Sequence, residues 1–148
     1  MSGVGSAFGD GEADSDGPYL VLVSDLIQVG NPYESSFWGL TPLSQEAVAQ
    51  AIADQRFALI PNDLGGREIP RYQADPDLYD IERVAFLVVN KAEDPIAIEV
   101  TSHCGAVQFM DGCHRFAAAI YRGDERILVG YGGYVDAFHD FFQDKIKA

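Results

Sequence analysis

Basic residues are scarce in this chain. Its 148 residues hold 10 Lys and Arg against 23 Asp and Glu, a formal net charge of −13. A protein that grips long DNA displaces counterions with Lys and Arg. With so few bases, scattered along the chain, no long nucleic acid is expected as a partner. Cysteine is equally sparse, at Cys104 and Cys113 only, too few for a disulfide-stapled scaffold. Long apolar runs are missing too. The two longest, Val84 to Val89 and Ala117 to Tyr121, fall far short of the ~20 residues of a membrane span. Residues 1–17 lack the apolar core of a signal peptide. The expectation is a cytoplasmic protein with reduced thiols and no membrane association.

Hydrophobic residues make up 47% of the chain and aromatics 11%, enough for one domain with a real core. Residues 1–17 read as a disordered tail. Asp10, Glu12, Asp14 and Asp16 face no base there, and the rest of the chain keeps nine net negative charges. The folded part is read as residues 18–148, and it shows no internal repeat.

Along that part, Tyr19 to Val23 reads as a strand. Phe37 and Trp38, by Gly39, read as core packing or pocket lining. Thr41-Pro42 looks like an N-cap with proline at the first helical position, opening a helix from about Pro42 to Gln55. Phe57 to Ile60 reads as a short strand. Residues 63–80, with Gly65-Gly66, Pro70 and Pro76, read as a long loop whose Arg67, Glu68 and Arg71 are solvated or form a phosphate-reaching lid. Ile81 to Val89 suits a buried strand. Ile96 to Val100 alternates like a half-buried one. A short buried strand follows at Val107 to Met110, then a helix from Cys113 to Tyr121 closed by Gly123. A strand starts at Ile127 and runs to Tyr134, and a last helix spans Val135 to Lys147. Strands and helices mix without a strict βαβ repeat. The fold class is therefore α+β, a small mixed sheet with flanking helices.

The chemistry concentrates at Asp111-Gly112-Cys113-His114-Arg115. A strand that turns sharply into a helix gathers backbone N–H groups, the positive end of a helix dipole, an imidazole and a guanidinium. Gly112 supplies the position without Cβ, and Asp111 can cap the helix. Taken singly, these residues also have structural readings: a cap, a salt bridge for Arg115, a small buried hydrophobe for Cys113. Taken together they suit a phosphate. Another constellation, His103-Cys104 with Cys113-His114, offers four zinc-type ligands, but adjacent residues point apart and the usual Cys-x₂-Cys spacing is absent. His139 sits among phenylalanines as a surface or core histidine.

The run Asp111 to Arg115, followed by Phe116-Ala117-Ala118-Ala119 and then Gly123 to Val129, resembles the signature of the ParB/sulfiredoxin-like fold family. Members show Asp-Gly-x-His-Arg or Gly-Gly-Cys-His-Arg, then an aromatic or leucine and alanines. In layout the resemblance spans roughly 19–134, with strands at Tyr19, Arg83 to Val89 and Ile96 to Val100 and a helix at Pro42. Its specific residues lie in 107–129.

The resemblance implies a nucleotide- or phosphate-binding ParB-like domain. Gly112, His114 and Arg115 would hold the phosphate. Asp111 would orient a metal or accept a proton, with Mg²⁺ and ATP, ADP or CTP as cofactors. The implied enzyme is a nucleotide-dependent phosphotransferase or a nuclease-like hydrolase, and a proficient one needs a further base, for which Glu34, Glu46, Glu68 and Glu99 are candidates. The alternative is sulfiredoxin-like thiol chemistry at Cys113, with the helix N-terminus favouring the thiolate. The chain departs from that branch at Asp111, whose carboxylate opposes a thiolate and repels a sulfinyl phosphate. A non-enzymatic alternative is an interaction module in which the acidic surface and Phe138, Phe141 and Phe142 dock a protein partner or a second copy. No helix-turn-helix reads after residue 134, so too little chain follows to read DNA.

Overall fold

A computed structural model describes residues 17–35, 37–38, 40, 43–60, 63, 75, 78–103 and 106–148. In chain order the elements are β1 (Tyr19–Leu22), α1 (Val23–Ile27), α2 (Gln45–Ala53), α3 (Tyr79–Val89), β2 (Ile96–Val100), β3 (Val107–Asp111), α4 (Cys113–Arg122), β4 (Arg126–Gly133), α5 (Val135–Phe141) and β5 (Ile146–Lys147). The class is mixed α+β. No helix among the described residues is long and apolar enough to cross a membrane. The chain forms two compact units, one of residues 1–30, 93–113 and 124–148, the other of residues 31–92 and 114–123.

The first unit holds the sheet, in the order β3-β2-β4-β1-β5. β2 runs parallel to β4, and the other neighbours pair antiparallel. The alternation of β2 is the expected one: Ile96, Ile98 and Val100 are buried while Ala97 and Glu99 are half-buried. Tyr131 of β4 stacks on Phe138 of α5 with centroids 3.6 Å apart, and Tyr19 of β1 closes on Phe138 at 5.7 Å.

Four expectations change in this unit. β3 is the sheet edge and not a buried strand. Only Phe109 is buried, and Met110 is 59% exposed. The last helix stops at Phe141, and Ile146–Lys147 pairs with β1 instead. Burying both Phe138 and Phe142 fixes the end of the helix, and the chain then turns back to the sheet. Since Phe138 and Phe142 are fully buried, they are core and offer no docking face. Each contributes about 2–3 kcal/mol by burial. The first strand ends one residue early, at Leu22, and α1 starts at Val23, whose N–H still donates to Glu125 O at 2.9 Å in the register of β1 with β4.

In the second unit α2 begins later than expected. Ser44 is its N-cap, accepting from the Ala47 N–H at 3.2 Å. Thr41 and Pro42 lie outside the described residues. Val48 and Ala51 face inward. Phe57 to Ile60 forms no strand, because its backbone is bonded piecemeal. The Ala58 N–H donates to Glu82 O, Ala58 O accepts from Arg83, and the Ile60 N–H donates to Asp63.

The largest correction is α3, which is a helix where a buried strand is expected. The segment extends N-terminally to Tyr79, eleven residues in all, a length that suits a helix better than a strand. The helix also fans Glu82 and Arg83 toward different partners, Arg56 at 2.6 Å and Asp63 at 2.6 Å. A strand over 83–89, as the family layout has it, is therefore absent. α4 matches its expected span to within a residue. It buries Phe116 through Ala119, packs Phe116 on Phe37 at 5.6 Å and ends at Gly123, φ +78. Trp38 meets Phe37 edge-on and stays 42% exposed. Most of the 63–80 loop, with Arg67, Glu68 and Arg71, lies outside the described residues.

Candidate functional site

The turn from β3 into α4 is set by Gly112. Its φ is +100, and a Cβ there would lie 2.5 Å from Ile96 Cγ2. Glycine is required twice over, by backbone conformation and by the close approach of β2. Asp111 is the last residue of β3 and is exposed, while Cys113, His114 and Arg115 form the half-buried first turn of α4. Consecutive in sequence, the five residues are gathered by the turn itself.

Within the helical unit, His114 has a partner that the sequence does not suggest. Its Nε2 lies 2.9 Å from Asp80 Oδ1, on the first turn of α3. Tyr79 meets the imidazole edge-on at 5.8 Å. An ionised carboxylate only accepts hydrogen bonds, so where Asp80 is ionised the proton of this contact sits on Nε2 and the contact orients the ring. Nδ1 then has no hydrogen-bond partner among the described residues, and the side chain keeps 29% exposure. An imidazole fixed in this way can take a proton at Nδ1 or, once charged, donate there to an anion.

Other contacts fix the helix that carries His114. Tyr33 donates its hydroxyl to Ala117 O at 2.7 Å, and burial together with neighbouring Tyr121 pushes its pKa well above the usual tyrosine range. Arg122 donates to Leu87 O at 2.7 Å, joining the end of α4 to α3.

Of the four candidate bases, Glu34 and Glu46 are exposed, Glu99 is half-buried on β2, and Glu68 lies outside the described residues. Asp80 is the carboxylate that does meet the motif. Sequence reasoning misses it because 34 residues separate it from His114 and because its helix reads as loop and strand. Among the described residues no three His, Cys, Asp or Glu come together as a metal site. A Mg²⁺ held by one carboxylate, waters and substrate phosphates needs no such cluster, so exposed Asp111 fits that role. Of the zinc-type constellation, Cys104 lies outside the described residues, and His103 packs on Tyr134 with centroids 4.1 Å apart. His139 packs against the Tyr19, Tyr131 and Phe138 rings.

Comparison with family models, with curated proteins and with solved structures finds no match to this chain.

Proposed function

We propose that the turn from Gly112 to Arg115 binds a nucleotide or similar phosphate, with phosphoryl transfer or phosphate hydrolysis as the associated chemistry. The observation that carries this reading is the imidazole of His114, anchored through Nε2 on Asp80 and with no hydrogen-bond partner at Nδ1 among the described residues. In this reading the first N–H groups of α4 and the Arg115 guanidinium hold phosphate oxygens. Nδ1 of His114 takes the proton of an attacking hydroxyl or water. Asp111 would hold a Mg²⁺, which would supply neutralisation of phosphate charge.

The test is calorimetric titration of ATP, ADP and CTP, each with Mg²⁺, into the full chain. One of the three binds, and Arg115→Ala weakens it by about tenfold or more, the worth of a charge-assisted contact. Equal binding by both proteins, or none by either, overturns the proposal.

A further inference from the structure

A second feature lies wholly within the sheet unit. An open groove of about 480 Å³ crosses β3, β2 and β4, with Pro18, Pro95 and Met110 as walls and Glu99, Gly130 and Gly132 on its floor. The register explains the floor. Ala97 pairs with Gly130 and Glu99 with Gly132, so all four share one face, while Ile98 and Tyr131 point into the core.

The two glycines have different reasons. At Gly132 an added Cβ would stand 2.9 Å from Glu99 Oε1, so its absence leaves the space that the carboxylate fills. Gly130 has no such reason. Its φ is not positive, and a Cβ there would meet only Ile96 O, at an ordinary 3.9 Å. Glycine weakens a strand interior and commonly marks a place where a ligand or another backbone comes close. The Glu99 carboxylate beside it has no hydrogen-bond or ion-pair partner among the described residues. The floor thus offers one carboxylate without a partner among the described residues, between apolar walls and two glycines of β4.

We infer that this groove binds a lysine or arginine side chain presented by an extended segment of a partner protein, its charged end on Glu99 and its backbone over Gly130. Charge decides among the occupants. A second copy brings another net −13, and residues 1–17 contain no Lys or Arg. Openness decides the rest. Small molecules bind where most of their surface is buried, whereas a side chain on a longer segment is held by its neighbours along exposed Met110 and the prolines.

The test is a two-dimensional ¹H–¹⁵N NMR titration of the full chain with capped pentapeptides Ala-Ala-Xaa-Ala-Ala. Xaa is Lys, Arg, norleucine or Glu, and n-butylamine serves as the free amine. The Lys and Arg peptides shift the amides of Ala97, Glu99, Gly130 and Gly132. Norleucine binds about fivefold more weakly, the scale of one partly exposed ion pair. Glu99→Gln abolishes the difference between Lys and norleucine. Gly130→Val, whose added side chain stands in the groove, loses peptide binding while shifts in the rest of the sheet stay in place. Equal binding of Lys and norleucine, shifts that avoid the four floor amides, no binding of any peptide, or butylamine binding as tightly as the Lys peptide each overturns the inference.

Discussion

His114 and Asp80 meet at 2.9 Å although they lie 34 positions apart, one on the first turn of α4 and the other on the first turn of α3. The contact turns a motif histidine into one with a defined tautomer. Asp80→Asn keeps the shape but replaces the carboxylate by an amide, which accepts from Nε2–H through its oxygen or, turned over, donates to a bare Nε2, so it no longer selects one tautomer. In the wild type, ¹⁵N imidazole NMR reports the Nε2–H form. The variant gives a mixture of tautomers and loses about 1 kcal/mol of stability, the difference between a charge-assisted and a neutral hydrogen bond. An unchanged imidazole spectrum in the variant would show that Asp80 does not set the ring.

Gly112 and Ile96 are coupled by lack of space. Gly112→Ala places a methyl group 2.5 Å from Ile96 Cγ2 and forces alanine to φ +100. Strain and overpacking together cost about 3 kcal/mol or more. Gly130→Ala, with ordinary φ and a nearest contact at 3.9 Å, leaves stability unchanged or slightly raised. Urea melts of the two variants measure the contrast, and equal losses would contradict it.

Buried Arg83 pairs with half-buried Asp63 at 2.6 Å, with side-chain exposures of 10% and 14%. Asp63→Ala strands a guanidinium whose other hydrogen bond is to Ala58 O, at a cost of about 3 kcal/mol. Adding Arg83→Met removes the stranded charge and recovers part of that loss. A double-mutant cycle from chemical denaturation gives the coupling. Strict additivity would show that the pair carries none.

Tyr33 sets an alkaline limit. Its folded pKa lies above that of the unfolded chain, because burial and Tyr121 disfavour the phenolate. Its contribution is therefore fully present below the ordinary tyrosine value of about 10 and is lost as pH rises past it, when only the unfolded chain ionises. Stability measured at about pH 8 and about pH 11 falls in the wild type. In Tyr33→Phe the fall is shallower. That variant starts lower by about 1 kcal/mol, having lost the bond to Ala117 O. Parallel slopes in the two proteins would remove Tyr33 as the cause.

The elements that local pattern alone imposes were legible in the sequence. Ile96 to Val100 alternates and forms β2. Cys113 to Tyr121, bounded by Gly112 and Gly123, forms α4. The mixed α+β class follows from the same reading. Local pattern misled where long-range contacts supplied the stability. Residues 81–89 look like a buried strand, yet Glu82 and Arg83 are buried in α3 by partners at Arg56 and Asp63. Val135 to Lys147 looks like one helix, yet its end pairs with β1.

By itself, then, the sequence determined the acidic balance, the turn at Asp111 to Arg115 and the glycine it requires, because these depend on composition and on neighbours in the chain. Only the tertiary structure decided that Asp80 holds His114, that Phe138 and Phe142 are core, and that Glu99 lies beside bare glycines. Each of those facts joins residues far apart in sequence, and a hydrogen bond or a shared sheet face is set by distance in space, not along the chain.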